Sequence, residues 1–445
     1  MLAAMAIPPT SRSEQGKPPA REAGDACPGA LRLHLADDGA LARVRLPGGL
    51  LTVRQAHALA DAAETLGDGG LDLTSRGNVQ LRGLAAGCGA ELGGRLRAAG
   101  LLPSDRHDRV RNVAASPLCG LDGRGAGADV QAWARALDAL LCADTPRHPD
   151  DNQPQLTDLS GRFLFGLDDG RGDIAALAPD VTLIATADGH AALCFAATGP
   201  ALHVSAGDAP RAALLAAAEF LAVLDKSGIH AWRIRELAPE LRPSADRLAA
   251  RLTASGIAAA PLPRFEPPHG APPEPGVLTA PDGGRSLSVA APLGRLTAAQ
   301  WRLLAGSAAR DELRVTPWRG IVLPGTAEDH LPRLAAAGLV TSADSPWHGA
   351  GACAGRPACA KSLADVRADA AACLTPARTG GPRPLPVYWS GCARRCGHPA
   401  DGDWVDVLAT GDGYRVTVRG ETTTVTSPAS PDLAGAVATA RTPIR

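Results

Sequence analysis

This sequence of 445 residues has no long apolar run and almost no net charge. No stretch approaches the roughly 18 consecutive apolar residues that a membrane-spanning helix needs, so we expect no membrane association. Lysine and arginine together number 45, aspartate and glutamate 46, and the formal net charge is −1. Because the chain lacks a global basic field, we expect no binding to nucleic acid.

Lysine is nearly absent, since almost all basic side chains are arginine and only Lys17, Lys226 and Lys361 are lysines. Genomic bias explains this as well as function does. The N-terminus lacks a basic region followed by a long apolar block, so residues 1–25 are interpreted as a disordered lead-in rather than a secretory signal. The ten cysteines are too sparse for a disulfide scaffold. We therefore expect a cytoplasmic protein whose clustered cysteines are ligands.

The chain is too long for one ordinary hydrophobic core, and it contains an internal repeat. Segments 37–84 and 282–326 share one order of elements: a strand, a turn with proline and glycine, an amphipathic helix and a second strand. The matching landmarks are Pro47 with Pro292, Thr52 with Thr297 and Thr74 with Thr316. The two threonines that precede the helices are predicted N-caps. The sequence predicts an α+β fold with two related halves.

The segment between the repeats contains three strand-like pieces (162–169, 180–187 and 191–197) and a helix over 209–228 that ends at Gly228. A proline-rich stretch over 261–276 is interpreted as a linker. Near the C-terminus, two alternating runs around Gly-Asp-Gly within 404–420 predict a β-hairpin.

The stretch LTSRGNVQLR, residues 73–82, is predicted as one strand with a polar face. Arg76, Gln80 and Arg82 lie on that face, and Arg43 on the preceding strand adds a further guanidinium. A solvated surface is the simpler interpretation of a lone strand of this kind. Converging arginines also suit a ligand with several carboxylates, because the planar guanidinium binds a carboxylate bidentately and keeps its charge.

Two pairs of cysteines stand near the C-terminus, Cys353 with Cys359 and Cys392 with Cys396. Four thiolates in two local pairs are typical of an iron–sulfur cluster. Structural zinc and ordinary buried thiols remain alternatives, although zinc ligands usually have two to four residues between them, whereas five separate the first pair. Arg356, Lys361, Arg394 and Arg395 could offset the negative charge of a cluster.

These features together resemble the sulfite and nitrite reductase superfamily, in which a 4Fe-4S cluster lies beside a sirohaem in an internally duplicated α+β fold with pseudo-twofold symmetry. The resemblance implies that Cys353, Cys359, Cys392 and Cys396 hold the cluster. It also implies that the tetrapyrrole or the anion above it is bound by a set of polar side chains. These are Arg43, Arg76, Gln80, Arg82, Arg111 and Arg162.

The same resemblance sets the predicted domain bounds. They are a lead-in 1–25, a first ferredoxin-like half domain 26–100, a reductase-like α+β domain 101–255, a proline-rich linker 256–278, a second half domain 279–340 and a 4Fe-4S-binding domain 341–445.

Two departures resemble the precorrin-3B synthase branch of this superfamily. Arg162 and Leu164 stand where the sulfite reductases have a pair of lysines that help to protonate the bound anion. Arginine is a poor proton donor because it stays charged, and leucine has no proton to donate. The chain is also shorter than the assimilatory reductases, and the motifs around Cys27 and Cys119 resemble that branch.

This branch implies a monooxygenase of cobalamin biosynthesis that uses dioxygen to hydroxylate C20 of precorrin-3A and to close a γ-lactone. It implies a mononuclear non-haem iron besides the 4Fe-4S cluster, and the sequence order identifies no ligands for that iron. Asp168, Asp169 and Asp173, interpreted as surface-turn acids, and His398 are the possible ligands. No glycine-rich nucleotide motif follows a strand, so the electron donor is expected to be external, an NAD(P)H-linked reductase or a ferredoxin. The duplication within one chain is compatible with a monomer.

Two alternatives stay open. One is a sirohaem-dependent sulfite or nitrite reductase, in which sirohaem would be a cofactor. The other is a tetrapyrrole-binding or zinc-stabilised protein without redox activity.

Overall fold

The computed structural model describes Asp25 and residues 27–143, 154–195, 201–374, 384–399, 402–425 and 431–442. Except for Asp25, the predicted lead-in lies outside the described residues. Within these ranges the strands form four sheets: one for each repeat, one for the segment between them and one for the C-terminal part. None of the described helices is long and apolar enough to cross a membrane.

The first repeat contains the N-capped helix that the sequence predicts, and this helix packs on an antiparallel sheet. Its elements are β1 His34–Ala36, β2 Gly39–Val44, β3 Leu50–Leu51, α1 Val53–Leu66, β4 Gly70–Leu73, β5 Val79–Leu84 and α2 Gly89–Ala98. The Thr52 hydroxyl accepts a hydrogen bond from the Gln55 amide, and the Gln55 side chain accepts one from the Thr52 amide. This reciprocal cap satisfies two amides that would otherwise lack partners at the start of α1.

The middle segment forms a six-stranded sheet in the order β11-β10-β9-β8-β7-β6. Its elements are β6 Val113–Ala115, α3 Val130–Cys142, β7 Phe165–Asp168, β8 Val181–Ala185, β9 His190–Phe195, β10 Ala201–Ser205, α4 Ala209–Ser227, α5 Ala245–Ala254 and β11 Ala259–Leu262. The three predicted strands and the helix are present, and α4 ends at Gly228 with φ +66°. The predicted linker 256–278 begins inside this sheet, because β11 pairs with β10.

The second repeat and the C-terminal part complete the chain. The second repeat consists of β12 Gly276–Thr279, β13 Arg285–Ala290, β14 Arg295–Thr297, α6 Ala298–Ser307, β15 Leu313–Val315, β16 Gly320–Leu323 and α7 Leu331–Ala336. The C-terminal part consists of β17 Ala350–Ala352, α8 Val366–Leu374, β18 Val387–Ser390, β19 Val405–Thr410, β20 Gly413–Val418, β21 Glu421–Val425 and α9 Pro431–Ala440. The predicted hairpin is confirmed as β19 and β20, which pair antiparallel.

The two repeats exchange short strands and share one core. β3 of the first repeat pairs with β15 of the second, and β14 of the second pairs with β4 of the first. Buried side chains of both repeats belong to a single hydrophobic cluster. The duplication therefore produces an intertwined pair of half domains rather than two separate units.

Trp301 of α6 anchors this shared core, because it is fully buried and its indole N–H donates to the Ala56 carbonyl of α1 at 2.8 Å. We expect Trp301→Ala to lower the free energy of unfolding by about 3–5 kcal/mol, the usual range for removing a large buried aromatic side chain. Urea denaturation measures the change. Leu35→Ala is the control, since Leu35 is 72% exposed and its loss should change stability by less than about 0.5 kcal/mol.

The prediction of one strand over residues 73–82 is wrong. β4 and β5 are separated by a turn in which the Gly77 amide donates to the Thr74 carbonyl and the Thr74 amide to the Asn78 carbonyl. Gly77 has φ +70°, a left-handed conformation that does not occur in a regular strand. Arg76 therefore lies in the turn instead of on a strand face.

The second repeat builds the same turn with a different residue at the left-handed position. The Thr316 amide donates to the Gly320 carbonyl and the Arg319 amide to the Thr316 carbonyl, as at Thr74 to Asn78. Arg319 takes the place of Gly77 and has φ +58°, which costs a non-glycine residue roughly 1–2 kcal/mol. Such strain concentrates at functional sites, and the Arg319 side chain donates to the Gly397 carbonyl, next to Cys396.

Candidate functional site

The paired cysteines follow two adjacent parallel strands of the C-terminal sheet. Cys353 comes directly after β17 and Cys392 shortly after β18, and these strands pair in parallel. The carboxyl ends of parallel neighbours meet at the same sheet edge, so the two loops converge. The Cys353 amide donates to the Trp389 carbonyl at 2.9 Å, and the Gly391 amide donates to the Cys353 sulfur at 3.2 Å.

All four predicted ligands belong to one group of thiols, called here the cysteine site (Cys353, Cys359, Cys392 and Cys396). Burial raises the pKa of Cys396, and the charges of the other three thiols raise it further. In the sequence, five residues separate Cys353 from Cys359, more than the two to four that usually separate paired zinc ligands.

A cleft of about 280 Å³ lies between the cysteine site and β5 of the first repeat. Gln80 and Arg82 of β5 line it on one side, and Cys353 and Cys396 line it on the other. Gln80 and Arg82 therefore lie beside the cysteine site, whereas Arg43, Arg76 and Arg162 do not line this cleft.

Two further arginines line this cleft, and sequence reasoning missed both. Arg319 donates to the Gly397 carbonyl at 3.2 Å and lies 5.7 Å from the Tyr388 ring centre. Arg367 donates to the Cys353 carbonyl at 3.2 Å and forms an ion pair with Asp72 at 2.8 Å. The sequence signal that could have identified Arg319 is its position in the repeat, since it stands where the first repeat has Gly77.

A second group of guanidiniums, called here the arginine cluster (Arg43, Arg45, Arg76 and Arg162), gathers around the Gly161 carbonyl and Cys27. Arg45 and Arg76 both donate to the Gly161 carbonyl, at 3.2 and 3.4 Å. Arg43 and Arg45 contact the Cys27 sulfur at 3.5 and 3.3 Å.

Exposure differs within the arginine cluster, since Arg45 is buried, Arg43 and Arg76 are half-buried and Arg162 is exposed. Desolvation lowers the pKa of Arg76 to about 10 and also lowers the pKa of Arg43, but both side chains stay charged near neutral pH. Arg45 is 1% exposed, and among the described residues its Nε and Nη1 atoms have no hydrogen-bond partner. Buried cations of this kind are costly unless an anion accompanies them, so the cluster is suited to an anionic ligand.

Gln80 and Arg162, two further residues of the predicted ligand-binding set, both lie beside the arginines described above. Gln80 accepts a hydrogen bond from Arg43 at 3.1 Å, so β2 and β5 present the two side chains together. Arg162 lies half-exposed beside Gly161, with its guanidinium 4.2 Å from the centre of the Trp232 ring.

Arg82 and Arg111 differ from Arg43 and Arg76 because each is already bound to a carboxylate. Arg82 makes two hydrogen bonds to Asp38, both 2.8 Å, and Arg111 makes two to Asp138 at 2.6 and 2.7 Å. Arg111 lines a different cavity, of about 270 Å³. A ligand role for these two would require replacing an internal ion pair.

The aspartates considered as iron ligands are buried, so their interpretation as surface-turn acids is wrong. The Asp168 carboxylate accepts hydrogen bonds from four backbone amides. Asp169 pairs with Arg171 at 2.7 Å, and the Asp173 oxygen Oδ1 accepts from Ser116 at 2.5 Å. The loop after β7 curls around these groups, which explains their burial. His398 is exposed and stacks on Trp404.

Asp173 should make stability depend on pH. Burial raises its pKa from 3.8 to about 7, so the folded state binds a proton that the unfolded state releases above about pH 4. The free energy of unfolding should therefore fall by roughly 2–4 kcal/mol as the pH rises from about 4 to about 7. Urea titrations across this range should show that Asp173→Asn removes the slope, whereas the exposed Asp344→Asn keeps it. An unchanged slope in Asp173→Asn would contradict the assignment.

Comparison with known proteins agrees with this architecture. A family model described as the nitrite/sulfite reductase ferredoxin-like half domain matches residues 34–88 and 279–338, the two repeats. Over 395 residues the chain is 28% identical to a ferredoxin–nitrite reductase of Synechococcus elongatus, covering 82% of this chain and 75% of that protein. Over 61 residues it is 48% identical to a precorrin-3B synthase of Sinorhizobium sp., covering 14% of this chain and 13% of that one.

The fold is also similar to a solved structure. The NirA protein of Mycobacterium tuberculosis superposes with a TM-score of 0.56 at 18% identity, covering 86% of this chain and 77% of that protein. This chain therefore has an internally duplicated nitrite/sulfite reductase-like fold that contains two copies of the nitrite/sulfite reductase ferredoxin-like half domain.

Proposed function

We propose that the chain is an iron–sulfur oxidoreductase that acts on a polycarboxylate tetrapyrrole, as a precorrin-3B synthase-like monooxygenase. The observation that carries the proposal is the arginine cluster, in which Arg43, Arg45 and Arg76 of the first half domain meet Arg162 of the middle segment around the Gly161 carbonyl. In the same half domain, β5 opens onto the cleft beside the cysteine site. Precorrin-3A carries about eight carboxylates, and guanidiniums are the side chains best suited to bind them.

The cysteine site would hold a 4Fe-4S cluster. Its four thiols form one group, the five residues between Cys353 and Cys359 are more than usually separate zinc ligands, and Arg367 and Arg319 donate to backbone carbonyls beside two of the thiols. When bound, such a cluster supplies one-electron transfer. Tyr388 fixes the second cysteine loop, since its hydroxyl donates to the Cys396 carbonyl at 2.6 Å.

The first repeat would bind and orient the substrate. Arg43 and Gln80 are held together across β2 and β5, and Arg76 is held by the rigid turn before β5. Their backbone positions are fixed by the sheet, so carboxylates bound there would keep one orientation relative to the cleft.

Position 164 favours a monooxygenase over a multi-proton reductase. Leu164 is 3% exposed and packs with Ala114 and Ile174 in a small apolar cluster, so it can neither donate a proton nor face a bound anion. The overall reaction consumes dioxygen, two electrons and two protons. One oxygen atom enters the substrate and the other leaves as water. An external reductase or ferredoxin would supply the electrons.

A sirohaem-dependent nitrite reductase is the second candidate, and one observation favours it. The similarity to the ferredoxin–nitrite reductase of Synechococcus elongatus covers most of the chain, whereas the precorrin-3B synthase similarity covers 61 residues. Under this alternative the same arginines would bind the carboxylates of the sirohaem.

A visible spectrum followed by a turnover assay separates the two candidates. For the monooxygenase we expect an iron–sulfur absorbance without a sirohaem band, and a product heavier than precorrin-3A by one oxygen atom only when dioxygen and a reductant are present. Under ¹⁸O₂ the added atom should be labelled. A sirohaem spectrum with nitrite reduction, and no product from precorrin-3A, would establish the alternative instead.

A further inference from the structure

Two histidines and an aspartate converge on one face of the middle sheet, away from the cysteine site. His190 is the first residue of β9, His203 lies on β10, and Asp188 belongs to the turn that joins β8 to β9. In the antiparallel register His190 lies opposite Ser205 and His203 opposite Ala192, so the two histidines are diagonal neighbours on the same face. They are half-exposed and Asp188 is exposed.

The distances within this group are those of potential metal ligands. One ligand atom from each of Asp188, His190 and His203 lies within 4.8 Å of the others. His203 Nε2 is 2.9 Å from Asp188 Oδ2, and the two imidazole rings stack with centres 4.3 Å apart. Small rotations of half-exposed side chains would bring these atoms to the roughly 2.0–2.2 Å at which imidazole and carboxylate bind zinc.

The hydrogen bonds already orient two of the three ligands. His190 Nδ1 lies 3.1 Å from the backbone carbonyl of Asp188. When Nδ1 donates to this carbonyl, Nε2 keeps a free lone pair. Metal-bound histidines commonly donate their other ring N–H to a carbonyl in this way. Asp188 accepts from Thr186, which fixes its carboxylate.

Asp188 places a carboxylate beside the two imidazoles. A carboxylate beside two imidazoles is a ligand set for divalent transition metals, whereas Mg²⁺ prefers oxygen ligands and water.

We propose that Asp188, His190 and His203 form a binding site for one divalent transition-metal ion of the Zn²⁺ or Fe²⁺ class. The ion would join the turn after β8 to β10. The site is separate from the arginine cluster, because β7 and β8 run parallel, Gly161 precedes β7, and Asp188 follows β8. The two sites therefore lie at opposite ends of this sheet, and the proposal does not depend on the proposed function.

Isothermal titration of the intact, cluster-loaded protein with Zn²⁺ tests the proposal after brief treatment with a weak chelator. We expect one more Zn²⁺ bound per wild-type chain than per His203→Gln or Asp188→Asn chain, or an affinity at that site lowered by at least about tenfold. Zn²⁺ should also raise the melting temperature of the wild type more than that of either variant. Mg²⁺ should produce neither effect.

His230→Gln is the matched control, because His230 is an exposed histidine outside the group. The melting temperatures of all variants without added metal establish that they fold. The cysteine site is the same in every protein, so zinc bound there cancels in the comparison. Equal Zn²⁺ stoichiometry and affinity in the wild type, His203→Gln and Asp188→Asn would overturn the proposal.

Discussion

Cys392→Ser should abolish both the iron–sulfur absorbance and the enzymatic activity. Cys392 is one of four thiols grouped at the ends of β17 and β18, and a serine hydroxyl is a much poorer ligand for iron than a thiolate. The loss of one ligand from a four-cysteine site exposes the cluster to hydrolysis. We therefore expect iron and acid-labile sulfide to fall close to zero, measured by metal analysis and by visible absorbance.

Cys88→Ser is the control for this result. Cys88 is a half-buried cysteine immediately before α2 and lies far from the cysteine site in the sequence. It should retain the cluster and the activity. If Cys392→Ser instead keeps a full complement of iron and sulfide, the assignment of the four thiols is wrong. If the purified wild type contains zinc in place of iron, the zinc-stabilised alternative is correct.

Arg76→Ala should weaken substrate binding strongly while leaving the cluster spectrum intact. Arg76 is a half-buried cation in the turn before β5, and the bound partner that the structure describes is the Gly161 carbonyl. A hydrogen bond to a charged group contributes about 1.5–3 kcal/mol, so KM for the tetrapyrrole should rise by about 10–100-fold. Steady-state kinetics and the visible spectrum of the same preparation measure both effects.

Two variants make this experiment specific. Arg76→Lys keeps the charge but loses the planar fork, so it should lie between the wild type and Arg76→Ala. Arg95→Ala removes an exposed arginine paired with Glu91 on α2, and a surface pair of this kind contributes little, so its kinetics should match the wild type. An Arg76→Ala protein that loses the cluster but turns over substrate normally would disprove the binding role.

The local patterns of the sequence predicted most of the elements. The N-caps at Thr52 and Thr297, the end of α4 at Gly228 and the C-terminal hairpin are all confirmed. These features depend on contacts within a few residues, and a helix cap or a hairpin turn is encoded by the residues that form it.

The alternation of apolar and polar residues led to a wrong prediction where the structure has a turn. In the stretch 73–82 the apolar and polar residues alternate as in a strand, yet Gly77 adopts a left-handed conformation and the chain reverses there. Arg319 has the same backbone conformation at the equivalent position without being glycine. Hydrogen bonds within the turn and the contact to the Gly397 carbonyl stabilise this conformation of Arg319. The periodicity of apolar and polar residues carries no information about either contact.

The residues themselves determined the duplication, the paired thiols and the excess of guanidiniums over lysines. Only the tertiary structure decided which arginine side chains are paired with a carboxylate. Arg82 is paired with Asp38 and Arg111 with Asp138. Within the described part of the chain, Arg43 and Arg76 form no ion pair with a carboxylate and bind Gln80 and the Gly161 carbonyl instead. The partners of Arg82 and Arg111 lie 44 and 27 positions away in the sequence. Whether a charge is neutralised depends on distance in space, which is set by how the sheets pack.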